Sequence, residues 1–289
     1  MARNNSIDVI LFYLKVYIKR WTFYKSSFIS DISYIFSDVL LFALLSAVVG
    51  EEISRFLPLY GGNYIGYVIV GLLLHKLLAL VEWAPYSALL DSFYTRRLEA
   101  LTISPVGVST VIVGTSIGDI VLLMVRFGIY IALGIVLGVK ASLSLETIPW
   151  AALLTLLGVL ACAGIGLVAA SCFFLLQAKQ DNPVNWLVDT AVSVASGVYF
   201  PVSILPPKLQ LVSSALPHTY VYDGIRRLLL DGGLDPSLPV HYALQGFNPI
   251  LLDAAMLTAM SAILISLGWR LFNYGFEKAK IDGRLSWWT

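Results

Sequence analysis

Long apolar runs limit what this chain can fold into more than any other feature of its sequence. Residues 64–83 read YIGYVIVGLLLHKLLALVEW, and a helix needs about 20 predominantly apolar residues to cross a bilayer. Of the 289 residues, 58% are apolar or aromatic and 13% are charged, against the ~25% charged residues of an ordinary soluble domain. Such a chain has too little polar surface to cover a core in water. The sequence therefore predicts an all-α integral membrane protein.

Six runs of this kind predict six transmembrane helices. The predicted spans are 29–49, 64–83, a helix within 108–139, 148–176, 186–204 and 249–272. The third and fourth runs are about 30 residues long, so their helices are tilted, kinked or longer than the bilayer is thick. The fifth run contains Asp189, Gly197 and Pro201, and the sequence leaves open whether it crosses the membrane fully.

Positive charge predicts the orientation of these spans. Six crossings place both termini on one side, which carries twelve Lys and Arg residues against five on the other side. Because Lys and Arg are enriched in cytoplasmic loops, both termini are predicted to lie in the cytoplasm, with the spans in the cell (plasma or inner) membrane. All seven tryptophans lie near a predicted helix end, where the indole ring favours the membrane–water interface.

The chain is predicted to have three parts. Residues 1–28 form a cytoplasmic amphipathic helix in the membrane interface, because apolar residues recur there at spacings of three and four. This apolar stripe consists of Ile7, Ile10, Leu11, Leu14, Ile18 and Trp21. Residues 29–272 form the six-span transmembrane domain, and residues 273–289 form a cytoplasmic C-terminal tail.

Two segments between the spans have unusual compositions. The cytoplasmic loop 85–107, where Pro85 is predicted to break or bend the chain, is too apolar for a linker and suits a docking element for a soluble partner. Residues 197–249 hold seven of the twelve prolines, which separate apolar pieces too short to span. Such pieces lie on the outer surface or dip in and return, and broken backbone at membrane depth must be buried in protein or line a cavity. The extracytoplasmic segment 197–248 is therefore predicted to contain short broken or re-entrant helices that gate a pathway.

Charged side chains inside the spans are costly, so they usually face other helices or a cavity. They are interpreted either as structural pairs between helices or as members of a polar pathway. The candidates are Asp31, Asp38, Lys76, Asp119, Arg126 and Asp189, with His75 and Glu82 nearby in the second span.

The sequence shows no motif for catalysis or metal binding. The three histidines, His75, His218 and His241, have no metal-ligand spacing. Cys162 and Cys172 lie ten residues apart in one apolar run, and they are interpreted as core residues that form neither a disulfide nor a metal site. No G-x-x-x-x-G-K-[S/T] loop and no nucleophile–base pair is present, so the chain is not predicted to be an enzyme.

Two stretches of the sequence resemble the permease subunits of type-2 ATP-binding-cassette (ABC) exporters, the ABC-2 family of drug and antibiotic efflux and polysaccharide export permeases. Residues 96–114, RRLEALTISPVGVSTVIVG, resemble the family's cytoplasmic loop, with a basic residue before Leu-Glu and then Ser/Thr-Pro. Residues 196–232 resemble its segment of Ser-Gly, an aromatic residue before Pro, two Leu-Pro pairs and a late Arg. With the six spans, the resemblance covers nearly the whole chain.

The resemblance implies two groups of site residues. The residues that couple to the ATPase are Arg96, Arg97, Leu98, Glu99, Ser104 and Pro105. The residues of the outer gate are Gly197, Tyr199, Phe200, Pro201, Leu205, Pro206, Leu216 and Pro217.

The resemblance also implies a function, the export of an amphiphilic drug, lipid or lipid-linked glycan. The path would lie between this permease and a second copy or a homologous permease. ATP and Mg²⁺ would bind a separate ABC ATPase subunit, with no cofactor or metal in this chain and no nucleic-acid partner. The alternative is an ion-gradient-driven secondary transporter or channel, which predicts paired broken helices in both halves, but one broken region is found. An intramembrane enzyme would need a catalytic cluster at one interface, and none stands out.

Overall fold

The computed structural model describes residues 25–98, 126–139, 144–177, 179–230 and 233–283, with individual positions between 11 and 23. Every regular element within these residues is helical, which confirms the predicted all-α class. The helices are α1 (Lys25–Ser54), α2 (Tyr64–Tyr94), α3 (Arg126–Val136), α4 (Thr147–Leu175), α5 (Pro183–Ala195), α6 (Pro207–Ala215), α7 (Pro217–Leu229), α8 (Pro239–Ala243) and α9 (Pro249–Ile281). Short 3-10 turns lie at Pro58–Tyr60 and Val202–Ile204. The described positions between 11 and 23 are also helical, although most of the predicted apolar stripe lies outside them.

Four of these helices, α1, α2, α4 and α9, are long and apolar enough to cross a membrane, and they match the predicted spans one, two, four and six. The count of six spans is not confirmed. Most of the predicted third span lies outside the described residues. The predicted fifth span corresponds to α5, whose 13 residues extend only about 20 Å, less than the ~30 Å of a hydrocarbon core.

Asparagine and proline explain where the helices begin. The side chains of Asn63, Asn182 and Asn248 each accept a hydrogen bond from a backbone N–H in the first turn of α2, α5 and α9. Proline occupies the first turn of all five helices from α5 to α9, where its missing N–H costs nothing. Three prolines of the predicted gate segment, Pro207, Pro217 and Pro239, therefore mark helix starts.

Helix α2 continues through Pro85 to Tyr94, so Pro85 does not break the chain and the first ten residues of the predicted loop 85–107 are helical. This C-terminal part of α2 is buried against α4. A Cβ at Gly166 of α4 would lie 2.8 Å from the Glu82 carbonyl oxygen and 3.1 Å from the Pro85 ring. Because Gly166 has no side chain, α4 can approach α2 closely at Pro85. This packing stabilises the helical conformation of α2 beyond the apolar run.

Helices α4 and α9 meet at two glycines. A Cβ at Gly164 would lie 2.5 Å from the backbone of Leu264, and a Cβ at Gly268 would lie 2.5 Å from the Gly164 carbonyl oxygen. Small residues at such crossings are a common basis of helix packing in membranes, because they let backbones approach closely.

We expect Gly268→Leu to push α9 away from α4 and to destabilise the chain by about 3 kcal/mol, at the upper end of the usual cost of overpacking. The measurement is the thermal unfolding midpoint of the purified full chain in detergent. Gly128→Leu on α3 is the matched control, because a Cβ at Gly128 meets nothing within 4 Å. Equal midpoints for the two variants would contradict this account of the packing.

Helices α6 and α7 form a hairpin, and α7 packs alongside α2. The hairpin starts near the N-terminal end of α2, where the Tyr67 hydroxyl donates a 2.7 Å hydrogen bond to the Gly197 carbonyl. Its tip reaches Glu82, whose Oε1 lies 3.2 Å from His218 Nε2, and the eight residues of α7 from His218 to Arg226 place the tip about 12 Å from the Tyr67 carbonyl along that helix. All residues from Pro217 to Leu228 are buried. Helix α7 therefore packs inside the helix bundle, whereas more than half of the residues of α6 are exposed. That these pieces dip into the membrane stays a prediction.

Candidate functional site

Side chains from α1, α2 and α5 form a polar group midway along the spans. Lys76 Nζ lies 3.3 Å from Asp38 Oδ2 and donates a 3.0 Å hydrogen bond to the Tyr34 hydroxyl. His75 Nε2 lies 3.9 Å from Oδ1 of Asp189 on α5. Lys76 is about 18 Å along α2 from its first residue. We call the following residues the polar face: Tyr34, Asp38, His75, Lys76 and Asp189.

The rest of the described chain leaves the polar face partly uncovered. The Asp189 side chain is 53% exposed, and Asp38 and Lys76 keep 21% and 29% of their side-chain surface exposed. Such charges rarely face lipid, because a charged side chain near the bilayer centre costs several kcal/mol. The polar face therefore requires water or another protein surface beside it.

A cleft of about 130 Å³ opens beside the polar face, between α1, α2 and α3. It is lined by Tyr34, Ile35, Lys76, Leu80, Arg126, Phe127 and Tyr130. The Tyr130 hydroxyl donates a 3.3 Å hydrogen bond to Asp38 Oδ2, which connects the cleft to the polar face. Polar groups on its wall make the cleft suitable for ordered water.

The predicted intramembrane charges thus fall into three groups. The structure pairs Asp38 with Lys76 and places Asp189 beside His75. Arg126 lines the cleft. The Asp31 side chain and Asp119 lie outside the described residues.

Arg226 fastens the hairpin to α2. Its guanidinium is buried and donates to three backbone carbonyls, those of Tyr67 (3.0 Å), Gly197 (2.6 Å) and Val198 (2.7 Å). The guanidinium carbon also lies 3.5 Å from the centre of the Tyr67 ring. Within the described part of the chain no carboxylate pairs with Arg226, so carbonyl dipoles and the aromatic ring stabilise its charge. A Cβ at Gly71 would lie 2.0 Å from the guanidinium, which explains the glycine there.

Arg227 joins α7 to the segment that follows it. It donates 2.7 Å hydrogen bonds to Asp223 Oδ2 and to Ser237 Oγ. It also donates to the carbonyls of Asp235 (2.9 Å) and Gly233. A charged donor with this many partners holds the backbone after α7 in one conformation.

Asp223 is the acceptor at the centre of this network. The hydroxyls of Ser237 (2.6 Å) and Tyr60 both donate to its Oδ1. Burial raises the pKa of Asp223, but Arg227, then His241, and the two hydroxyl donors outweigh burial and hold the pKa of this carboxyl below its usual value. Asp223 is therefore an ionised partner of Arg227.

His241 on α8 extends the network to α9. Its Nε2 lies 3.0 Å from Asp253 Oδ1. Ligand atoms of Asp223, His241 and Asp253 lie within 4.8 Å of one another, close enough for a metal ion. Arg227 already provides the cation beside Asp223, so we interpret this group as one ion pair extended by hydrogen bonds that tie α7 to α9.

A second buried group lies at the hairpin tip, where Glu82 of α2, Cys162 of α4 and His218 of α7 converge. The sequence predicts a core residue at Cys162 and shows no ligand spacing around His218. Cys162 is free and buried, but its sulfur lies beside the polar ring of His218. Spacing along the chain carries no signal for this group, because its members come from three helices.

The predicted coupling residues are only partly described. Arg96 follows the end of α2 with a left-handed φ of 58°, and the exposed Arg97 pairs with Asp91 at 2.7 Å. Leu98 is buried with Phe93. Glu99, Ser104 and Pro105 lie outside the described residues. The described part of this loop is an exposed basic end on a rigid helix, which we call the basic end (Arg96 and Arg97).

The predicted gate residues occupy two places. Gly197, Tyr199, Phe200, Pro201, Leu205 and Pro206 lie before α6, where the Tyr199 ring stacks on Phe42 of α1 at 5.2 Å. Leu216 and Pro217 lie at the hairpin tip and are buried. The role of these residues as a gate stays a prediction.

Comparison with known proteins identifies one family. A family model described as ABC-2 family transporter protein matches residues 86–270, well over half of the chain. A comparison with curated proteins finds no match.

Proposed function

We propose that this chain, which belongs to the ABC-2 family of transporter proteins and is a multi-pass membrane subunit of an ABC transporter, is an exporter permease whose path lies between two chains. The second permease would be another copy of this chain or a homologue. The substrate would be an amphiphile such as a drug, a lipid or a lipid-linked glycan. ATP and Mg²⁺ would act on a separate ATPase subunit that docks from the cytoplasm.

The polar face is the observation that carries this proposal. It combines acidic, basic and tyrosine side chains at mid-span, and the described part of the chain leaves it partly exposed. A second permease facing it would enclose these groups in a water-filled space. An amphiphile could then pass its polar part along Asp38, Lys76 and Asp189 while its apolar part contacts the surrounding helix surface.

Helix α2 supplies a mechanical link for coupling. It is one helix of 31 residues, about 46 Å long, with Lys76 of the polar face near its middle and the basic end just after its last residue. A push by an ATPase on Arg96 and Arg97 would therefore tilt the helix that lines the path. The C-terminal half of α2 is buried and packs on α4. A tilt of this half would therefore also move the residues at the hairpin tip.

A second candidate function is transport driven by an ion gradient, and one observation favours it. His75 Nδ1 lies 3.2 Å from the Tyr222 hydroxyl, while His75 Nε2 faces the exposed Asp189. These three side chains form a line from the surface into the protein that could carry protons. Export that stops when the ATPase partner is inactivated, and continues when the ion gradient is dissipated, would exclude this candidate.

Arg97→Glu tests the coupling. In the complex of full-length chain and ATPase partner, reversal of this charge should lower substrate-stimulated ATP hydrolysis about tenfold, the effect of losing roughly 1.4 kcal/mol at a docking contact. Arg55→Glu is the matched control, because Arg55 is also an exposed arginine in an ion pair, with Glu52, and lies at the other end of the first span. Insertion of both variants is verified by membrane fractionation. ATP hydrolysis by the chain alone, or equal stimulation in both variants, would contradict the proposal.

A further inference from the structure

Three side chains of metal-ligand type meet at the tip of the hairpin. His218 Nε2 lies 3.2 Å from Glu82 Oε1 and 3.7 Å from Cys162 Sγ, and the three ligand atoms all lie within 4.8 Å of one another. The three residues are between 0% and 4% exposed. They come from α2, α4 and α7, so only the folded chain assembles them.

The hydrogen bonding of this group is incomplete. Glu82 Oε1 accepts no hydrogen bond, although His218 Nε2 is close, and His218 Nδ1 also has no partner. Buried polar atoms without a partner cost about 1–3 kcal/mol each, and proteins rarely leave them so. A positive ion between the three ligand atoms would satisfy the carboxylate oxygen that the protein leaves without a donor.

The distances and the ligand types fit zinc. Zn²⁺ binds sulfur at ~2.3 Å and nitrogen or oxygen at ~2.0–2.2 Å, so tetrahedral geometry separates the ligand atoms by about 3.3–3.6 Å. The observed 3.2 Å and 3.7 Å lie at either side of this range. Ca²⁺ and Mg²⁺ prefer oxygen ligands alone, whereas thiolate and imidazole suit Zn²⁺.

Charge balance supports the same ion. A thiolate and a carboxylate carry two negative charges, and a neutral imidazole adds none, so Zn²⁺ makes the buried group neutral. Burial of uncompensated charge at this depth would be very costly. We propose that Glu82, Cys162 and His218 bind one Zn²⁺ ion, which fixes the tip of the hairpin to α2 and α4. The fourth coordination position is left for water.

The test is the metal content of the purified full-length chain, isolated by an affinity tag that uses no metal resin. Mass spectrometry should find one zinc per chain, retained after dialysis against EDTA because the site is closed to solvent. Cys162→Ser and His218→Asn should lose the zinc. Cys172→Ser should keep it, since Cys172 is the second free cysteine of α4 and lies outside the group.

A second measurement covers the case in which Cys162→Ser does not fold. Wild-type chain produced with Co²⁺ should show a thiolate-to-cobalt absorption band, and Cys172→Ser should show the same band. The proposal would be overturned if the wild-type chain contained no zinc and showed no cobalt band. Glu82, Cys162 and His218 would then be a polar group without a metal. Zinc that persists in a folded Cys162→Ser variant would overturn it as well.

Discussion

Replacing Arg226 with glutamine is expected to destabilise the chain by about 3–5 kcal/mol, because buried carbonyls that lose their donor cost about 1–3 kcal/mol each. The guanidinium donates to three carbonyls from two separated parts of the chain, α2 and the start of the gate segment. Glutamine carries two N–H donors on a shorter side chain, so it reaches at most one of these parts. The carbonyls of the other part would then lose the Arg226 donor.

Lysine is not expected to restore stability at position 226. Its ammonium group is compact and lacks the planar fork that reaches three carbonyls at once, and it stacks less well on the Tyr67 ring. Gly71→Ala should reproduce the effect without changing any charge, because the new Cβ would displace the guanidinium. If all these variants lose a similar amount of stability, the stabilising effect of Arg226 depends on the geometry of its contacts and not on its charge alone.

The measurement is the thermal unfolding midpoint in detergent, followed by limited proteolysis of the 197–230 segment. A loss of this size corresponds to a fall on the order of 10 °C in a chain of this length. Arg55→Gln is the control, because its ion pair with Glu52 is exposed and contributes little. If Arg226→Gln unfolds at the temperature of Arg55→Gln, Arg226 does not fasten the hairpin.

Hydropathy predicted the parts of the fold that lipid dictates. Spans one, two, four and six follow from uninterrupted apolar runs, because only a helix satisfies its own backbone in a bilayer. Helix α2 continues about ten residues beyond Trp83, the predicted end of the second span. Polar residues such as Ser92 lie in this extension, where they are buried against protein rather than lipid, and hydropathy does not register protein contacts.

The interior of the hairpin could not be predicted in the same way. Arg226 and Arg227 counted as charges of an outer loop, yet both are buried, because the chain supplies carbonyls and Asp223 as their partners. One local signal was present, since Asp223 precedes Arg227 by four residues, a spacing that favours an ion pair on a helix. No such signal exists for Glu82, Cys162 and His218, whose proximity depends on how three helices pack.

The orientation of the termini and the cytoplasmic placement of the basic end stay predictions. They rest on the excess of Lys and Arg, which reports on insertion rather than on packing. The location of the polar face is different, because it follows from the packing of α1, α2 and α5. The second large effect that we expect concerns this face.

A cysteine at Asp189 should react with a small hydrophilic thiol reagent, whereas a cysteine at Ile263 should not. Asp189 lies on the polar face, where the account places water, and Ile263 lies on the surface of α9 and is 65% exposed in the isolated chain. Lipid beside Ile263 would exclude the reagent and disfavour the reactive thiolate. The native Cys162 and Cys172 are buried, so they give little background.

The most direct test of the central claim compares these two labelling rates in sealed membrane vesicles that contain the intact transporter. The account predicts labelling of Asp189→Cys that is at least ten times faster than labelling of Ile263→Cys, a ratio worth about 1.4 kcal/mol. It also predicts that an amphiphilic substrate slows labelling at position 189 only. Equal rates at the two positions, or protection by substrate at Ile263→Cys alone, would show that the polar face does not line the path.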